Sequence, residues 1–572
     1  MLGQSDPPGK TPGDKYSRAA VGPEHHLEPA RGSTVIDTAR STATGTRSRC
    51  STPATRRAAR TTFFAVMAGA FVFFVWADRH AWFAFDEWDF LSARSATSLS
   101  SLLHPHNEHW STLPILLWRG LFQVFGIGSY YPYLLPLLLS HLGLAFLVRV
   151  VMRRNGVRPW TATIAASLFL LLGAGADDIL WAFQIGFVAS LVFGFGQLLL
   201  ADHEGPIGRR DLLALASGLA ALLCSGVGVT MVVVVGLATW ARRGWRAALV
   251  QTVPLGLVYL AWFVGYGRSS YHERIRFGEV PHAVMTILTS SLRDLGQLPF
   301  FGLLLAVLLV AGLVLAWRHD PWVRLRIRAA QPGALLVGAL LFMVVTSLGR
   351  AADLERSVTP SRYVYVVAAL VLPALAVAVD SIAASIGTWG VVVPLVFLLA
   401  IPGNVRLAAD RDRVTAPIYT NLRRLILATP HLPIGRRLPA SEIPAELFTG
   451  PTTVGWLRAN AAAGRVPSPG PLTPGQQADV TQQLLLQRAS PFTLPTSCEQ
   501  ITRPAVVTPP ADALVLATGP NRATIAYLPT TGARPTPFTI GSGTPSTGVR
   551  TVLRDLRVDV RPDRGATVLV CT

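Results

Sequence analysis

Two short acidic segments carry the side chains most able to do chemistry. Phe85-Asp86-Glu87-Trp88-Asp89-Phe90 places three carboxylates within four positions, and His106-Asn107-Glu108-His109-Trp110 follows soon after. A carboxylate can take the proton from a hydroxyl nucleophile, which makes Asp86, Glu87 and Asp89 candidate catalytic groups. His106, Glu108 and His109 offer imidazole and carboxylate ligands to substrate or to a divalent cation, Mg or Mn. Their spacing is no standard zinc signature, and hydrogen bonding at a helix N-terminus is an equal reading. Basic groups complement these acids. The loop holding Arg268, His272, Arg274 and Arg276, and the segment from Arg350 to Arg362 with Tyr363 beside it, could grip a phosphate through forked hydrogen bonds. They could equally anchor helices or meet lipid headgroups. Asp177-Asp178 reads most simply as a loop cap.

The elements that must position these groups are apolar. The chain has 572 residues, 51% hydrophobic and 15% charged, with positive mean hydropathy. Its apolar runs recur near the roughly 20 residues needed to cross a hydrocarbon core. The expected fold is a polytopic α-helical membrane protein of about 11 spans. The net charge of +19 does not point to nucleic acid, because the arginines cluster in short segments between apolar runs, as orientation signals do. Residues 1–60 read as a basic, disordered cytoplasmic tail, and no secretory signal is visible.

The arginines orient the chain. Arg47 to Arg60 precede the first span, Phe63 to Trp76, so it exits and delivers Asp86 to the outer face. Arg153-Arg154, Arg209-Arg210, Arg242-Arg243 and Arg318 to Arg328 mark cytoplasmic returns. The run Asp211 to Ala241, basic at both ends with Ser225-Gly226 in its middle, is expected to form a hairpin of two short helices. Trp110 to Phe125 is too short and too amphipathic to span and should lie in the interface. Trp76, Trp82, Trp88, Tyr130, Tyr131 and Tyr133 read as an aromatic belt. The expected organisation is a membrane domain over 61–403 with an outer loop at 79–129, an extracytoplasmic helical and loop region at 404–510, and a small β-sandwich at 511–572. Cys498 and Cys571 bracket the strand-rich segment, and an oxidising exterior would join them.

An Asp-Glu pair just after the first span, followed by an interfacial segment, resembles the GT-C glycosyltransferases: protein mannosyltransferases, aminoarabinose transferases and actinobacterial arabinosyltransferases. At motif level the resemblance covers Trp82 to Phe125, although the Pro-Pro-Leu element of several relatives is replaced by His-Asn-Glu-His-Trp. It implies an inverting transfer from a polyprenyl-phosphate-linked sugar to an envelope glycan, lipid or protein acceptor, at the outer face of the plasma membrane. Asp86 matches the family's base, with Glu87 next to it. A transporter or flippase of envelope lipids and a noncatalytic envelope scaffold are the competing readings; no repeated halves support the former.

Overall fold

The computed structural model describes residues 52–270, 277–319, 322–354, 361–488, 497–518, 520–542, 544 and 548–572. Among them, eight helices are long and apolar enough to cross a bilayer: Pro53–Ala77, Tyr131–Arg154, Ala182–Ala201, Trp245–Gly265, Phe301–Arg318, Arg328–Gly349, Ser361–Ser385 and Val393–Ala428. A bent pair, Pro159–Leu170 and Gly173–Leu180, makes a ninth if counted as one span. The chain is a multi-pass membrane protein.

The expectation of about eleven spans differs from this count at one run. Its hairpin at 211–241 is present as Arg209–Leu222 and Val227–Arg243, broken around Ser225-Gly226, and these helices of 14 and 17 residues fall short of span length. The last apolar run, expected at 391–401, consists of short turns that lead into the continuous helix Ile401–Ala428. Thr112–Phe125 is a single helix of 14 residues, as its amphipathic pattern demands.

Burial follows position in the bundle. Pro53–Ala77 starts with proline in the first turn, where its missing N–H costs nothing. It buries one stripe, Ala59, Phe63, Ala70, Phe74 and Ala77, and leaves its other face to lipid. Ser361–Ser385 is buried on nearly all sides and forms the centre of the bundle. At the arginine-rich end, Arg242 donates to Asp202 at 2.7 Å and to Asn155 at 2.7 Å, and Arg243 pairs with Asp211 at 2.6 Å. Several of the arginines expected to act as orientation signals are therefore also held by buried or half-buried partners.

The bend after Leu170, by 42°, is sealed by a distant side chain. Asn404 accepts from the Ala174 N–H at 3.0 Å and donates to the carbonyls of Leu295 and Ala400. Gly173 permits this approach: a Cβ there would lie 1.8 Å from the Asn404 carbonyl oxygen. The bend redirects Ala176–Leu180 and the following turn, Ala182–Gln184, toward the Asp86 loop.

Past the long helix the chain forms two antiparallel sheets. Strands β1 (Leu486–Arg488), β7 (Gly548–Thr551), β4 (Leu514–Ala517), β9 (Val568–Cys571) and β2 (Cys498–Ile501) make one, in that order. Strands β3 (Ala505–Val507), β8 (Val558–Pro562), β5 (Arg522–Tyr527) and β6 (Phe538–Gly541) make the other. Val515, Val549 and Val568 of the first sheet share one core with Ile525, Ile540 and Val560 of the second. β1, β2 and β3 precede residue 511, so the sheets draw on more chain than the alternating runs suggested. Cys498 and Cys571 face each other across β2 and β9 and are disulfide-bonded.

Candidate functional site

The loop joining Pro53–Ala77 to Tyr131–Arg154 is built on aromatic rings. Phe83 sits between Trp88, Trp118, Tyr130 and Tyr133, with centroids 6.1, 6.1, 5.2 and 4.8 Å away. Trp82, Trp88, Tyr130 and Tyr133 are buried, while Trp76 and Tyr131 are exposed. The expected aromatic belt is thus corrected for four of its six members: they form the floor of the loop. Packing rings against one another holds a polar loop more firmly than a lipid interface could.

Phe85 begins the acidic segment with φ +58°, a left-handed backbone that bulky residues rarely adopt. It is fixed from three sides. Its N–H donates to the Phe448 carbonyl at 2.7 Å, and its ring meets Phe448 and Trp181. This turn separates the three acids. Glu87 points into the floor, where it accepts from the Tyr130 hydroxyl at 2.6 Å and the Ala84 N–H at 2.8 Å. Asp86 and Asp89 stay partly exposed on the other side.

Their electrostatics differ accordingly. Burial pushes Glu87 up to about 8, against the opposing hydrogen bonds from Tyr130, Ala84 and Phe183. Asp89 is raised by burial and by neighbouring Asp86, with Arg94 opposing. Glu87 therefore holds a proton at neutral pH and is a poor base; Asp86 keeps part of its surface open to solvent.

His106 and His109 pair through their backbones in a tight turn, with reciprocal hydrogen bonds of 3.0 Å and Asn107 at φ +50°. Their side chains diverge. His106 is buried between Phe90 and Phe183, its Nδ1 3.6 Å from Asp89 Oδ2. Burial lowers its pKa to about 3, helped by Arg94 and His109. His109 packs on Phe187 and accepts weakly from the Gly226 N–H at 3.4 Å. The expected trio of His106, Glu108 and His109 is not the group that forms. Asp86, Asp89 and His106 come together instead, one ligand atom of each within 4.8 Å of the others.

Around this cluster the chain supplies walls. The Thr112–Phe125 helix donates from Arg119 to the Leu91 carbonyl. C-terminal residues cover it: Trp456 stacks on Phe122 at 5.3 Å, and Thr452 bonds Ser92 at 2.9 Å. The post-bend segment contributes Phe183 and Trp181.

The basic groups are more dispersed. Arg362 lies over the Tyr363 ring at 5.3 Å and acts electrostatically on buried Asp178, while Ser361 accepts from the Asp177 N–H. Tyr363 is buried against Phe342. Arg268 is exposed in a turn at Gly267–Ser270. Arg350 lies on the helix Trp322–Leu354, its side chain outside the described residues, as are Arg274 and His272 entirely.

The pair that sequence reasoning missed is Arg411 and Asp412, on the helix that was expected to mark the start of a water-exposed region. Arg411 reaches Asp78 at 3.4 Å and Asp177 at 3.5 Å, while Asp412 takes His80 at 2.9 Å and Arg79 at 3.1 Å. Burial raises Asp78 well above the carboxylate range, with Arg411 opposing and Glu87 and Asp412 adding to the rise. The alternation Asp410-Arg411-Asp412-Arg413 on an otherwise helical run was the available signal. No family model, curated protein or solved structure matches the chain.

Proposed function

We propose that this chain is a membrane glycosyltransferase of the GT-C type, inverting, with a polyprenyl-phosphate-linked sugar as donor. The observation that carries the reading is the separation of the three acids. One carboxyl is sunk into an aromatic floor, and two remain open at the mouth of a loop walled by the 112–125 helix and the post-bend segment. In the reaction, the acceptor hydroxyl gives its proton to Asp86 while its oxygen bonds to the anomeric carbon. The bond from that carbon to the donor phosphate breaks, and its electron pair leaves with the polyprenyl phosphate. Under this reading Arg362, with Arg268, Arg274 and Arg350, offsets that charge.

Under this reading the protein lies in the plasma membrane with its N-terminus cytoplasmic, eleven membrane segments if the hairpin helices are counted, and a β-sandwich outside. The acceptor is an envelope glycan, lipid or protein.

Purified full-length protein, assayed with radiolabelled polyprenyl-phosphate sugars and an envelope extract, tests the proposal. Asp86→Asn should lower turnover by about a hundredfold to ten-thousandfold, and Arg362→Ala should weaken donor binding. Near-normal turnover in Asp86→Asn removes Asp86 from the mechanism. A flippase reading has one observation in its favour, fully buried Asp178 with neither oxygen hydrogen-bonded, because ionisable groups inside a bundle often mark a transport path. Lipid translocation in vesicles without sugar transfer would favour it.

A further inference from the structure

We propose that Asp86, Asp89 and His106 bind one divalent cation of the Mg2+ and Mn2+ class. Two independent observations converge. The first is the geometry of the donors: one atom from each residue lies within 4.8 Å of the other two. Ligands on a shell of about 2.1 Å radius sit roughly 3.0 Å apart when adjacent and about 4.2 Å apart when opposite. The cluster therefore needs only a small closure to grip an ion.

The second observation is the state of the His106 ring. It is 5% exposed, yet neither nitrogen makes a hydrogen bond: Nε2 has no partner, and Nδ1 stands 3.6 Å from Asp89 Oδ2, beyond hydrogen-bonding reach. Buried polar atoms are nearly always paired. Phe90 and Phe183, with centroids 5.0 and 5.2 Å away, fix the ring in this orientation. An imidazole held against two carboxylates, without the hydrogen bond that would make it an ordinary ion pair, is arranged as a ligand.

The donor set chooses the ion class. Two carboxylates and one imidazole, with no thiolate, suit Mn2+ or Mg2+. Asp89 is 34% exposed, which leaves coordination positions for water and a phosphate oxygen, as Mg2+ sites usually require. In the transferase reading one Asp86 oxygen would hold the ion, which would neutralise the donor's phosphate, and the other would take the acceptor proton; binding of the ion does not rest on that reading.

The test uses purified full-length protein in detergent, titrated with MnCl2 and followed by the loss of the free Mn2+ electron paramagnetic resonance signal. One ion per chain is expected, displaced by excess Mg2+. Asp89→Asn and His106→Gln should each weaken binding by about tenfold or more, while Asp410→Asn, at a half-buried carboxylate paired with Arg406 and Arg413 on the Ile401–Ala428 helix, should leave it unchanged. Should the variants fail to fold, the wild-type protein still decides: bound Mn2+ should show an electron spin echo modulation from imidazole nitrogen. Absence of that coupling, affinity unchanged in both variants, or no binding at millimolar Mn2+ overturns the site. Mn2+ bound as expected by a protein that transfers no sugar keeps the site and removes the transferase; full transfer in EDTA with no Mn2+ binding does the reverse.

Discussion

The Tyr130 hydroxyl donates to Glu87 at 2.6 Å and accepts the Ala182 N–H at 2.8 Å. One oxygen thereby joins the acidic loop, the start of the second long helix and the segment beyond the bend. Because Glu87 is raised to about 8, the folded chain keeps a proton that the unfolded chain loses in the ordinary carboxylate range. Stability from this group is complete below that range and is lost as pH rises through about 8. Thermal unfolding in detergent with EDTA should show stability falling by up to about 1.4 kcal/mol per pH unit across this window. Glu87→Gln should flatten the dependence, and Tyr130→Phe, which removes a hydrogen bond favouring the charged form, should extend it to higher pH. An unchanged profile in Glu87→Gln would assign the titration elsewhere.

Arg411→Gln should destabilise the protein by about 1–3 kcal/mol, since it leaves the buried carboxyl of Asp78 without its hydrogen-bond donor. The double variant Asp78→Asn with Arg411→Gln should recover part of that loss. A coupling energy near zero in the double-mutant cycle would show that the 3.4 Å pair contributes nothing to stability.

Replacing Cys498 and Cys571 by serine frees a closure spanning 73 residues. In the chain-entropy model such a closure is worth about 4 kcal/mol. Limited proteolysis should cut the strand region of the variant first, leaving the apolar helices intact. Equal protease resistance with and without the bond would contradict this.

Single cysteines at Gly45 and Thr530 report orientation. In intact cells, an impermeant thiol reagent should label position 530 and spare position 45. Protection of position 530 would place the Asp86 loop in the cytoplasm and defeat the proposed donor.

Apolar run length made the helices legible, and the alternation around Val515, Ile525 and Val560 made most of the strands legible. The cluster of acids stood out because such residues are rare beside a span. Which acid faced inward did not. Asp86, Glu87 and Asp89 are equivalent on paper, and only the left-handed turn at Phe85 decides that Glu87 meets Tyr130. Similarly, His106 and His109 look interchangeable until a tight turn pairs their backbones and neighbouring rings send them apart. Arg411 escaped notice because its partners, Asp78 and Asp177, lie hundreds of residues away in sequence.

The seal at Ala174 comes from Asn404, 230 residues downstream. A nascent chain therefore carries its broken helix through most of synthesis before the amide that satisfies the break has been made. Bare backbone polar groups are costly in hydrocarbon, so the 173–184 segment must wait near water until the last apolar run arrives. The wall that Trp181 and Phe183 provide is consequently a late product of biogenesis. Protease protection of ribosome-bound chains halted before and after residue 404 should differ at this segment, and identical patterns would refute a waiting period.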